Sequence, residues 1–113
     1  MALSDKQWDF LKDVAMLIYY IESQGWKATG GELWRPQVMQ DYYLEEGKST
    51  VRYSNHQDRL AIDLNFFNPD GDLTYDKDEL QMFGDFWESL HPDNEWGGNW
   101  KTFLDCPHFQ RNK

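Results

Sequence analysis

The apolar positions of the first 25 residues recur at helical spacing. Phe10, Val14, Leu17 and Ile21 fall on one stripe, and Leu11, Ala15 and Ile18 on the next. Two adjacent stripes predict a helix over residues 5–23 with a wide buried face. Ser4 followed by Gln7 reads as a capping box at its start and Gly25 as its stop. Residues 26–34 are broken by Gly30 and Gly31 and read as a short hairpin or one interrupted strand. Pro36 suits a first helical position, so a second helix is expected from there to Glu46, ended by Gly47. Residues 48–59 are polar and aperiodic, hence a loop. The period then changes to two. Leu60, Ile62, Leu64 and Phe66 would face one side of a strand over 60–67, and Ala61, Asp63 and Asn65 the other. A turn-rich stretch, 68–76, leads to a third amphipathic helix carrying Leu80, Phe83, Trp87 and Leu90 and closed by Pro92. Trp96 and Trp100 flank Gly97-Gly98 in a segment expected to be flexible, and a last strand around 107–111 would complete an antiparallel sheet. The expected fold is α+β: a small antiparallel sheet with helices packed on it.

Composition makes that fold feasible. With 113 residues, 40 % of them hydrophobic, and six Trp, six Tyr and seven Phe, the chain can fill one core but not two. A single domain over residues 1–113 is therefore expected, as a monomer. The net charge of -9 excludes the basic footprint of a nucleic-acid binder and an affinity for anionic membrane surfaces. The lone Cys106 rules out an intramolecular disulfide. Asp5, Lys6, Asp9, Lys12 and Asp13 interrupt the N-terminus, so no signal peptide is expected and synthesis in the cytoplasm is the simplest reading.

A carboxylate in the middle of an otherwise apolar strand needs a partner, which draws attention to Asp63. His56 precedes it by seven positions, and Asp105-Cys106-Pro107-His108 follows near the end of the chain. Two imidazoles and one carboxylate can hold zinc and leave a fourth position open for water. Asp105, three residues before His108, stands where a general base would be held beside such a metal. Spacing alone leaves two plainer readings open, a solvated His56 on its loop and an Asp63 satisfied by backbone amides.

The order of these residues resembles the zinc D,D-carboxypeptidase and L-alanyl-D-glutamate endopeptidase family, which includes phage endolysins. The family pattern S-x-H-x2-G-x-A-x-D is matched by Ser54, His56, Ala61 and Asp63. A Trp-Gly-Gly segment followed by D-x-P-H-F is matched by Trp96, Gly97, Gly98, Asp105, Pro107, His108 and Phe109. Upstream, Arg35 and Gln40 match an Arg-x4-Gln at the start of a helix. The resemblance implies a single-zinc peptidase fold, with Zn²⁺ on His56, Asp63 and His108 and Asp105 as catalytic base. Arg35 would stabilise the polarised carbonyl or a substrate carboxylate. It further implies hydrolysis of a peptide bond in peptidoglycan stem peptides; with no signal peptide expected, release through a phage lysis system or a role inside a phage particle would fit. The rival from another class is a catalytically silent phage structural or binding module that keeps the fold. Two departures stand out. Arg59 replaces the motif's Gly, so no positive φ is expected there. Gln110 stands where a Glu often follows His-Phe, which touches the hydrogen bonding around His108.

Ser54 and Gln40 are candidates for substrate contact or for bonding behind the ligands, and Trp96 for lining the cleft, with burial in the core as its plainer reading. His91 reads as a helix-end or surface residue, and Cys106 as a packed small side chain. Asn68, Asp70, Asp72, Thr74, Asp76 and Glu79 follow the spacing of a calcium loop, but Leu73 occupies the position that requires Gly. A solvated acidic turn is the expectation there.

Overall fold

The computed structural model describes residues 2–47 and 55–113. Helix α1 (Leu3–Ser23) opens the chain and buries Phe10, Val14, Leu17 and Ile21, the first predicted stripe. The second stripe does not follow it. Leu11 and Ile18 are about half exposed and Ala15 is exposed, because α1 packs along a single line against the helix α3 described below. Nor does Ser4 cap the helix. The N-cap is Ala2, whose N–H bonds to the Asp5 carboxylate, and Ser4 lies within the first turn. Gly25 follows the C-cap Gln24 at φ 79°, where a side chain would be strained.

Strand β1 (Lys27–Gly30) is single, not half of a hairpin. It pairs antiparallel with β2 (Ala61–Phe67), with Gly30 opposite Leu64. Helix α2 (Gln37–Glu45) lies between them in sequence, with Pro36 one position earlier than expected, at the N-cap. The stretch expected as loop contains one turn of 3-10 helix, Asn55–Asp58. Within the acidic connection, β3 (Leu73–Thr74) adds two residues against the end of β2. Helix α3 (Lys77–Leu90) is capped by Asp76, whose side chain accepts from the N–H groups of Asp78 and Glu79. The segment around Trp96 is ordered structure where flexibility was expected. Strand β4 (Asn94–Trp96) runs into a 3-10 turn, Gly97–Asn99, and β5 (His108–Arg111) pairs with both β4 and β2. Among the described residues the sheet runs β1-β2-β5-β4, every pairing antiparallel, with β3 beside β2. The α+β expectation holds.

The core sits between this sheet and the two long helices. Phe66 stacks on Phe83 with ring centroids 5.0 Å apart, and Trp87 meets both Phe10 and Phe109 edge-on. Leu60, Leu64 and Phe66 are buried, and Ile62 is partly so, as the period of two required. Trp96 is fully buried and donates its indole N–H to the Cys106 carbonyl at 2.7 Å. It belongs to the core and does not line a cleft. No helix among the described residues is long and apolar enough to cross a membrane.

Candidate metal centre

The period-two alternation that buries Leu64 and Phe66 turns Asp63 to the other face of β2. Register then supplies its neighbour, for Asp63 stands directly opposite His108 on β5. The backbone of Asp63 is held from its other side, bonding to Gly31 N–H at 2.7 Å and to the Glu32 carbonyl at 2.9 Å. A Cβ on Gly31 would come within 3.0 Å of the Asp63 carbonyl oxygen, so glycine permits this approach. His56 arrives from the 3-10 turn, 1 % exposed, with its carbonyl accepting from the N–H groups of Arg35 and Arg59.

Turn geometry corrects one expectation. Arg59 adopts φ 56° although it is not glycine. Its N–H bonds to the His56 carbonyl and the next N–H, of Leu60, to the Asn55 carbonyl, which closes the 3-10 turn and returns the chain into β2. The left-handed residue is required by the route of the backbone. The Arg59 guanidinium meanwhile lies 5.2 Å from the Trp34 ring centre.

His56 Nε2 and His108 Nδ1 each lie 3.3 Å from the same oxygen, Asp63 Oδ1. The three ligand atoms fall within 4.8 Å of one another, and this is the one such group of His, Cys, Asp and Glu among the described residues. The far nitrogens identify the tautomers. His56 Nδ1 faces the Leu33 carbonyl at 3.2 Å, and a carbonyl can only accept, so Nδ1 carries the hydrogen. His108 Nε2 faces Gln110 Oε1 at 2.7 Å, so the hydrogen is again on the outer nitrogen. What converges on the centre is therefore two nitrogen lone pairs and a carboxylate oxygen, three acceptors with no donor among them. Such a set calls for a cation. The two nitrogen–oxygen separations, 3.3 Å each, also match the edge of a tetrahedron whose bonds are about 2.0–2.1 Å long, the usual zinc–nitrogen and zinc–oxygen distance. The residues fit the ion.

The electrostatics agree. Burial opposes the Asp63 charge, yet the two imidazoles beside it outweigh burial and hold the carboxyl well below the usual carboxylate range. Burial likewise opposes charge on His108, but Asp63 and Gln110 raise its pKa. The field that draws a proton here would equally hold a metal ion. Asp105 Oδ2 is 4.0 Å from His108 Nδ1, beside the ligands. Its N–H bonds to the Gly97 carbonyl, and its own carbonyl accepts from His108 N–H, so the same short turn carries both groups. Burial pushes the Asp105 carboxyl up; the two imidazoles pull against this and the Asp63 charge adds to it.

Arg35 and Gln40 meet at the edge of the site. Arg35 is nearly buried, and its Nη1 donates to Gln40 Oε1 at 2.5 Å, with Gln40 fully buried beneath it. Glu32 takes the other side of the guanidinium, whose centre lies 4.7 Å from that of the Tyr43 ring. Glu32 and Tyr43 were not singled out from the sequence; the demand of a buried arginine for a carboxylate was the signal that could have found Glu32. Ser54 falls outside the described residues. Cys106 is buried, and His91 ends α3 with its Nδ1 accepting from Asp93 N–H. In the acidic stretch Asn68 Oδ1 accepts from Asp70 and Asp72 N–H, and the Asp76 side chain caps α3.

The sequence pattern of a family described as D-alanyl-D-alanine carboxypeptidase matches residues 47–111, which span the centre from end to end. The chain belongs to that family. It is thus a peptidase by descent. Among solved structures it is similar to the L-Ala D-Glu endopeptidase ChiX of Serratia marcescens, with a TM-score of 0.75. The match covers 92 % of this chain and 78 % of that one at 24 % identity, which establishes a shared fold. Among curated proteins no sequence matches.

Proposed function

We propose that this peptidase hydrolyses a peptide bond in peptidoglycan stem peptides and depends on one zinc ion held by His56, Asp63 and His108. The observation that carries the reading is the convergence of three acceptors, His56 Nε2, Asp63 Oδ1 and His108 Nδ1, beside the Asp105 carboxylate. Bound there, zinc would supply Lewis acidity, polarising a carbonyl and making water a nucleophile near neutral pH. Asp105 then takes the proton of the attacking water and passes it to the leaving amine. Its buried surroundings, which raise its proton affinity, suit that task. Arg35 offers short-range positive charge to a substrate carbonyl or carboxylate. A guanidinium has five N–H groups, and Glu32 and Gln40 engage only some of them. Gln40 and Glu32 keep its plane fixed.

The test is elemental analysis of protein purified without added metal, coupled to turnover on soluble stem peptides. One zinc per chain is expected, with turnover lost to a chelator and restored by zinc. His56→Ala and His108→Ala should each abolish stoichiometric binding. Turnover by fully metal-free protein would overturn the zinc assignment. Stoichiometric zinc without turnover on any stem peptide would favour the silent structural module. For the setting, we propose a phage lysis role in which the chain reaches the wall from the cytoplasm. Expression in the cytoplasm should then lyse cells only once the inner membrane is permeabilised.

A further inference from the structure

His108 presents Nδ1 to the centre only while its hydrogen stays on Nε2, and side chains behind it decide that. Residues 108, 110 and 112 share one face of the β5 strand and its extension, and Glu95 on β4 stands opposite Gln110. His108 Nε2 meets Gln110 Oε1 at 2.7 Å, and Gln110 Nε2 donates to Asn112 Oδ1 at 2.8 Å. Asn112 Nδ2 donates to Glu95 Oε2, and the other oxygen of Glu95 accepts the Trp100 indole N–H at 2.9 Å. Each amide alone could be turned either way. The chain of bonds cannot, because it ends on a carboxylate that only accepts. Glu95 requires the nitrogen of Asn112, so Asn112 offers oxygen to Gln110, and Gln110 offers oxygen to His108.

We infer that Glu95, Asn112 and Gln110 form a directional relay that locks His108 as its Nε2–H tautomer and so aims a lone pair at the metal position. Glu95 is a positioning residue in two respects, since Trp100, which it anchors, packs against the His108 ring at a tilt of 46° with centroids 5.0 Å apart. The relay also accounts for Gln110 standing where a carboxylate is common. An amide serves as well as an acid here, provided its direction is fixed from beyond. The metal consequence rests on the zinc reading, whereas the tautomer does not.

Reversal is the test. In Glu95→Gln the new amide's oxygen is claimed by Trp100, so its nitrogen points at Asn112 and every bond turns round. Gln110 would then donate to His108 Nε2 and the hydrogen would move to Nδ1. Long-range proton–nitrogen NMR correlation on the metal-free protein at alkaline pH reads the tautomer directly. Wild type should show Nε2–H, and Glu95→Gln should show Nδ1–H with zinc affinity lower by about 10–100-fold, the usual effect of disturbing a ligand's partner. Adding Gln110→Glu should restore both. In the double variant the amide introduced at position 95 donates to Asn112. Asn112 in turn donates to the carboxylate introduced at position 110, and that carboxylate accepts from His108. A Glu95→Gln variant that keeps the Nε2–H tautomer would overturn the relay, as would a double variant that rescues neither property. If the tautomer switches as expected but the wild type binds no zinc, the relay stands and the metal reading falls instead.

Discussion

Asp105 is the residue on which chemistry and structure can be separated most cleanly. Its carboxylate is 4.0 Å from His108 and is not one of the three converging ligand atoms. Asp105→Asn is nearly isosteric and keeps the backbone bonds to Gly97 and His108, but it cannot take up a proton. Zinc content should be unchanged while kcat falls by about 10²–10⁴-fold. Full activity in a variant confirmed to hold zinc would remove Asp105 from the base role. Arg59 poses the opposite case, a residue whose type and backbone disagree. A left-handed conformation costs a residue with a Cβ roughly 1–2 kcal/mol. Glycine would escape that cost but loses about 0.5–1 kcal/mol through its own chain entropy. It would also forfeit the Trp34 contact, worth about 0.5–1 kcal/mol at an exposed site. These terms cancel, so Arg59→Gly should move the unfolding free energy in urea by less than about 1 kcal/mol. A larger gain in stability would show that strain dominates. His56, Asp63, His108 and Asp105 were legible in the sequence because their chemistry is rare and their order specific. The positive φ at Arg59 was not, because it follows from where the 3-10 turn must send the chain.

At the level of elements, α3 is positioned by a missing methyl group. Gly84 lies in its interior, where replacing glycine by alanine in an isolated helix gains about 1 kcal/mol. The packing reverses that preference. A Cβ on Gly84 would stand 2.0 Å from Trp96 Cε3, and Trp96 is fully buried and tied to Cys106 by its indole. Overpacking of this kind costs about 1–3 kcal/mol or more. Gly84→Ala should therefore destabilise despite its helix propensity, by a net of up to about 2 kcal/mol in urea unfolding. It should also weaken zinc binding, since Trp96 lies next to Gly97, whose carbonyl accepts from Asp105 N–H, and the Asp105 carbonyl in turn accepts from the N–H of His108. Stabilisation by this substitution would mean that α3 is free to shift. The same contact explains the element read least well from sequence. Trp-Gly-Gly looks flexible by composition, but Gly98 also closes against the Trp96 ring, 2.2 Å from where its Cβ would be. These glycines are there for close approach, and only the tertiary partner reveals it. Helices α1 and α3 and strand β2 needed no such partner to be read, because one buried face each imposes its period, whereas α2 was read from its flanking Pro36 and Gly47. The two-residue β3 and three-residue β4 are too short to carry any period, so the turn and the loose segment expected there proved to be edges of the sheet.

The whole molecule is closed by a link between its ends that no periodicity could announce. Arg111, on the last strand, is 4 % exposed and reaches across to α1. It bonds to Asp13, to Asp9 at 3.3 Å and to the buried Asn94, which also donates to the Trp87 carbonyl at 3.0 Å. Asp9 and Asp13 read from sequence only as interruptions of an apolar N-terminus. In the fold they are what allows an arginine to end a core strand. Removing one partner of a buried pair costs about 3–5 kcal/mol when the survivor is trapped. Here the surviving acids retain contact with water, Asp13 at 17 % and Asp9 at 42 % exposure, so the cost is expected below that range. Arg111→Met should lower unfolding stability by about 2–3 kcal/mol, with an unchanged denaturant slope if the native state stays compact. Asp13→Asn should cost more than Asp9→Asn, in the order of their burial. Acid should act in the same direction. Lys12, chiefly, holds the Asp9 carboxyl below its ordinary value against desolvation, and Arg111 adds to the lowering. Its share of stability is therefore complete above that ordinary value and is lost as pH falls through the lowered one. In Arg111→Met the Arg111 part of this acid sensitivity should disappear. If the variant were as stable as wild type and kept the same acid profile, the link between α1 and β5 would be a surface pairing with no part in holding the sheet that carries His108.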